Sequence, residues 1–166
     1  MLRGYSRISE AIGDTAIRTI VREAMTESAL ALSVKFDRPL AELMAHTSDL
    51  IRRFGNTGLG DTCARVGADI PRKLAASDRL TGAAKNVLET GSHPAWIAIG
   101  AGAALALYLT DNPGDPAEAF ASLTGTDGEY AALSLRSCEH LQSGVSLEEI
   151  IADADAYLTA HIPPIM

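Results

Sequence analysis

Fifteen consecutive residues, Ala95 to Leu109 (AWIAIGAGAALALYL), carry no charged side chain. As a helix this run would have no wet face, so the rest of the chain has to be arranged around it. It is too short for a membrane span, which needs ~20 such residues. Its alanines, with Gly100 and Gly102, suit neighbours packed closely on every side. The run reads as a core helix that starts at Pro94 and continues to about Tyr108. A chain of 166 residues with 47% hydrophobic and 21% charged residues can supply that surround as one globular domain, residues 1–166.

The flanking sequence is helical in period. DTAIRTIVREAMTESALALSVKF opens on Asp14 as N-cap and spaces Ile17, Ile20, Val21, Ala24, Met25, Ser28 and Leu32 by three and four. A second helix begins with Pro39 in its first turn and repeats Leu40, Leu43, Met44, Leu50 and Ile51. After the connector GNTGLGD come a short helix over 61–66 and a break at Gly67 and Pro71. SDRLTGAAKNVLETG then forms a helix ending on Gly91. Beyond the loop TDNPGDP lie AEAFASLTG, EYAALSLRSCEHLQSG and SLEEIIADADAYLTAHI, the last opened by a Ser146–Glu149 capping box. No alternating β pattern of useful length occurs. The expectation is an all-α, single multi-helical domain of seven to nine helices.

Several chemistries lack their residues. No GxGxxG follows a strand, and GNTGLGD has no P-loop lysine, so a dinucleotide-binding half is not expected here. His46, His93, His140 and His161 have no metal-ligand spacing. Cys138 and His140 flank Glu139 on one predicted helix and point to different faces, which disfavours a nucleophile pair. Glu148, Glu149, Asp153 and Asp155 read as a solvated face. Cys63 and Cys138 form no CxxC, and the N-terminal MLRGYSRISEAIGD shows no apolar signal core; both fit a cytoplasmic protein. A net charge of -7 argues against nucleic acid as a partner.

One feature runs against that acidity. Arg65, Arg72, Lys73 and Arg79 fall within fifteen residues, closely after Arg52 and Arg53, on a segment bent by Gly67 and Pro71. Fixed cations at a bend suit a small anion such as a phosphorylated metabolite, since arginine forks a phosphate and lysine adds a compact charge. The same cations could instead pair internally with Asp61, Asp69 and Asp78.

The wording of this segment also carries a resemblance. Arg53-Phe54-Gly55-Asn56, Leu59-Gly60-Asp61, Arg65-Val66-Gly67, Arg72-Lys73-Leu74 and Asp78-Arg79-Leu80 resemble, in order and spacing, the C-terminal domain of mannitol-1-phosphate dehydrogenases and related long-chain polyol dehydrogenases. Upstream, GYSRISEAIGDTAIRTIVREAMTES looks like the helix pair opening that domain. The similarity covers about Leu2 to Leu109.

The resemblance implies a helical domain like the C-terminal one of 6-phosphogluconate-dehydrogenase-like polyol dehydrogenases. There it follows a Rossmann domain that binds NAD, and the polyol or polyol phosphate lies between the two. The family's Lys-x(4)-Asn-x-x-His motif precedes the point where this chain begins, so no residue here inherits a catalytic role, and NAD is implied only on a separate Rossmann-type partner. The family's arginine and lysine eight residues apart, which contact substrate oxygens, correspond to Arg65 and Lys73. Arg72 and Arg79 are further substrate-binding candidates, while Asn56 and Asp61 are expected to cap loop and helix. The expected function is the substrate-binding part of an NAD-dependent sugar-alcohol dehydrogenase, inactive alone. The alternative is a stand-alone sugar-phosphate-binding or dimerisation module. A homodimer is compatible with the glycine-bearing apolar helix.

Overall fold

The computed structural model describes residues 3–161. Among them ten α-helices follow one another without a strand: α1 (Ile8–Ala11), α2 (Thr15–Phe36), α3 (Leu40–Phe54), α4 (Cys63–Gly67), α5 (Ile70–Leu74), α6 (Thr81–Glu89), α7 (Ala95–Asp111), α8 (Pro116–Thr124), α9 (Gly128–Gln142) and α10 (Leu147–Ala160). A 3-10 turn spans Thr57–Leu59. The all-α expectation holds. The count exceeds seven to nine because pieces as short as α1 and α5 hold too few residues to show a helical period.

The apolar run forms α7, which packs against α2, α5, α6, α8, α9 and α10. Ala98, Ala101 and Leu105 are wholly buried in it. Burying a leucine of this kind contributes about 1.5–3 kcal/mol. The helix extends one turn past the expected Tyr108, to Asp111. Against α9 the backbones nearly touch at Gly102, where a Cβ would lie 2.5 Å from the Ser134 carbonyl oxygen and 2.6 Å from Ser137 Cβ. Among the described residues no helix is long and apolar enough to cross a membrane.

The termini follow the sequence signals. Asp14 accepts the backbone N–H groups of Ala16 and Ile17 at 2.9 and 3.2 Å and starts α2. Ser146 and Glu149 exchange the two bonds of a capping box at α10. The last expected helix runs to Ile162, which lies outside the described residues; α10 ends at Ala160. Gly91, at φ 75, sits just past the end of α6. That helix begins at Thr81, not Ser77, because residues 75–80 fold back as a turn instead.

Candidate functional site

The basic segment forms an elbow of two one-turn helices, α4 and α5. The joint between them is Asp69, held in the left-handed region at φ 57. Pro71 lies in the first turn of α5, where its missing N–H costs no hydrogen bond. Thr62 caps α4 by accepting the Arg65 N–H at 3.1 Å. The cap was expected at Asp61; that residue instead pairs its carboxylate with Arg65 one turn on. Asn56 does cap its loop, accepting the Gly58 N–H at 2.9 Å. The strand-like segment before α1 clips this elbow in place: Ile8 donates to the Asp61 carbonyl at 3.0 Å, and Cys63 donates to that of Ser6 at 2.9 Å.

Each arginine of the cluster has a local carboxylate. Arg65 pairs with Asp61, Arg72 Nε with Asp69 Oδ2 at 2.6 Å, and Arg79 Nε with Asp78 Oδ1 at 3.3 Å. All three guanidinium groups remain more than half exposed. Exposed pairs of this kind contribute about 0–1 kcal/mol, so they orient the arginines without consuming them.

Lys73 is different. It is half-buried and has no carboxylate partner at ion-pair distance; its ammonium donates to the Val66 and Ala68 carbonyl oxygens at the end of α4. Two of its three donors are thus spent on fixing its position, and it reaches the helix that carries Arg65. Burial lowers its pKa, and the neighbouring Arg79 and Arg72 lower it further. The Leu80 N–H donates to the Lys73 carbonyl oxygen at 3.3 Å, which brings the neighbouring Arg79 back towards Arg72 and Lys73, while the Lys73 side chain reaches the end of α4, the helix of Arg65. The Asp78 carboxyl is held below its usual range by the Arg79 backbone N–H, which it accepts at 2.6 Å.

Apolar surface adjoins the cations. Leu59 and Val66 are exposed. An open cleft of about 330 Å³ beside α4 is lined by Tyr5, Ile8, Cys63, Val66, Ile99 and Leu147, among others. Arg79 lines a second cleft, of about 430 Å³, between α2, α3, α6 and α7.

The remaining candidates separate from this site. Among the described residues no group of three or more His, Cys, Asp or Glu side chains is placed to hold a metal ion. His46 is exposed on α3, and Cys138 is wholly buried against α7. His93 bonds Glu129 at 2.7 Å, away from the elbow. Sequence reasoning missed two polar features, one part-buried and one buried. Glu27 of α2 accepts the first N–H groups of α7, and Thr81 donates to the Leu74 carbonyl oxygen at the end of α5. Neither residue type at its position signals such a partner.

The described residues thus form an all-helical domain with a cation-lined elbow, and they hold no nucleotide-binding sheet. The sequence profile of the mannitol dehydrogenase C-terminal domain matches residues 1–153, and the chain belongs to that family. Among curated relatives, the mannitol-1-phosphate 5-dehydrogenase of Caldanaerobacter subterraneus subsp. tengcongensis is 42% identical over 104 residues, covering 63% of this chain and 27% of its own length. That of Thermoanaerobacter pseudethanolicus is 39% identical over 115 residues, 69% of this chain and 29% of its own. That of an Exiguobacterium species is 31% identical over 152 residues, 92% of this chain and 39% of its own. The chain thus spans well under half the length of these relatives.

Proposed function

We propose that this domain is the substrate-binding part of an NAD-dependent dehydrogenase acting on a sugar alcohol or its phosphate, of the mannitol-1-phosphate type, in the cytoplasm. Arg65, Lys73, Arg72 and Arg79 receive the substrate. The observation that carries the reading is Lys73: an ammonium anchored by two carbonyl oxygens, flanked by two cations, with a third donor to give. Lys73 and Arg72 meet the anionic or hydroxyl end, Arg79 adds field, and Arg65 approaches from the far side of the elbow. Family membership and the activity for which the relatives are named support the substrate class.

The described residues contain no strand, glycine turn and helix of the kind that grips a pyrophosphate, and so do not fit NAD. The cofactor belongs to a separate dinucleotide-binding portion, which also brings the groups that move the proton. This domain binds and orients; alone it does not turn over substrate.

A chimera tests the reading. The matched C-terminal region of the Exiguobacterium enzyme is replaced by this chain, and NAD reduction is followed with mannitol 1-phosphate. Turnover that Lys73→Ala abolishes is expected. A folded chimera that binds NAD yet reduces none with any hexitol or hexitol phosphate contradicts it.

A second reading has its own support, since each arginine already has an aspartate partner. In it the cations only brace the elbow. It predicts that Lys73→Ala lowers stability and leaves anion affinity unchanged.

A further inference from the structure

Arg72 and Lys73 lie on α5, a helix of a single turn, and the chain folds back so that Arg79 follows next to the Lys73 backbone; something must hold these like charges there. Five residues are far too few for a helix to be stable by itself in water. The backbone supplies part of the restraint: the Leu80 N–H donates to the Lys73 carbonyl oxygen at 3.3 Å. The other part is a buried side chain. The Thr81 hydroxyl donates to the Leu74 carbonyl oxygen at 2.6 Å. These two bonds stitch residues 73–74 to residues 80–81, and the loop between them carries Asp78 and Arg79.

Thr81 and Leu74 are both wholly buried, so no water can replace that hydroxyl. On its other side, Thr81 Oγ1 lies 3.5 Å from the Tyr130 hydroxyl. Burial pushes the Tyr130 phenol up, so it is neutral, and at this separation it is a weak partner that can donate to or accept from the threonine hydroxyl. Its ring is fixed in turn against Phe120, with centroids 5.6 Å apart. A chain of hydroxyls therefore runs from α9, through the first residue of α6, to the last carbonyl of α5.

We propose that Thr81 and Tyr130 are positioning residues for the cation cluster: their relay pins the end of α5 so that Lys73 and Arg79 are held together against their repulsion. The consequence for ligand binding rests on the substrate reading above; the geometric part does not. With the relay intact, a phosphate entering the cluster relieves repulsion that the fold has already imposed. Without it, the buried Leu74 carbonyl loses its donor, the 75–80 loop relaxes, and the cations separate. The charged groups that act on Lys73 are Arg72 and Arg79, which disfavour its ammonium form, and Asp69 and Asp78, which favour it.

The experiment uses the full chain and its Thr81→Val, Thr81→Ser and Tyr130→Phe variants. The Lys73 side chain is titrated by NMR, and mannitol 1-phosphate binding is measured in parallel. With Thr81→Val, Arg79 and Asp78 move away together; Arg79 acts on Lys73 more strongly, so the Lys73 midpoint is expected to rise, and ligand affinity to fall about tenfold. Thr81→Ser restores both, a rescue that a packing role for the threonine methyl does not predict. Tyr130→Phe shifts Lys73 in the same direction by less, and it decides the matter if Thr81→Val fails to fold. An unmoved Lys73 midpoint in a folded Thr81→Val or Tyr130→Phe protein overturns the proposal. If the midpoint shifts while even the unaltered chain binds no mannitol 1-phosphate, positioning stands and the substrate reading falls.

Discussion

Glu27, in the middle of α2, accepts the backbone N–H of Trp96 at 2.8 Å and so closes the open end of α7. Its second carboxyl oxygen takes the Ile97 N–H at 2.9 Å. Pro94, the residue before α7, offers no side-chain cap, and a helix leaves its first N–H groups without internal partners. The central helix is thus capped from a segment some seventy residues earlier in the chain.

This contact makes stability depend on pH. Burial raises the Glu27 pKa from its ordinary 4.5 to about 7, although the Trp96, Ile97 and Ala95 N–H groups pull it down. The folded chain therefore holds the proton more tightly than the unfolded one. The stabilisation from Glu27 is complete below about pH 4.5 and is lost as pH rises through about 7. Denaturant unfolding between pH 5 and 8 is expected to show this loss, and Glu27→Gln, whose side chain stays neutral, to flatten it. An unchanged pH slope in Glu27→Gln would assign the dependence to another group.

Gly102 and Gly100 make a matched pair. A Cβ at Gly102 meets the Ser134 carbonyl oxygen and the Cys138 backbone nitrogen at 2.5 and 2.8 Å, and backbone cannot step aside. Gly102→Ala is expected to lose about 1–3 kcal/mol as α7 and α9 are forced apart. At Gly100 the added methyl meets only Leu80 Cδ2 at 3.7 Å, an ordinary contact. There alanine gains helix propensity, about 0.5–1 kcal/mol. Urea unfolding of the two variants should move in opposite directions.

Much of the fold is legible in the sequence, because caps and apolar period are local signals. Asp14, the Ser146–Glu149 box and the charge-free run behind α7 each determine their element from within it. The elbow is legible only as a break at Gly67 and Pro71. Its joint falls on Asp69, since Pro71 lies in the first turn of α5 instead of ending α4. What cannot be read is partnership across the chain: Glu27 with α7, Thr81 with Leu74 and Tyr130, Lys73 with the end of α4. These residues find their partners only after packing, and no spacing encodes them. The cation set is readable as a list; the anchoring that singles out Lys73 is not.

The left-handed joint at Asp69 separates backbone strain from charge. A β-branched side chain at positive φ costs roughly 1–2 kcal/mol, so Asp69→Val should destabilise the chain by about that amount. Asp69→Gly removes the strain and gives up the exposed pair with Arg72 and a favourable charge near Lys73, leaving stability within about 1 kcal/mol of the original. Equal losses in the two variants would mean that the pair, not the backbone, holds the elbow.

The most direct test is calorimetric titration of the chain with mannitol 1-phosphate, before and after Lys73→Ala, with unfolding measured on the same samples. The account predicts saturable binding that salt weakens, at least a tenfold loss in Lys73→Ala, and an unfolding midpoint that hardly moves, because Val66 and Ala68 are exposed and water can take over their carbonyl oxygens. Equal affinity in both proteins, or a destabilised Lys73→Ala that binds as before, would contradict it and leave the cations as braces of the elbow.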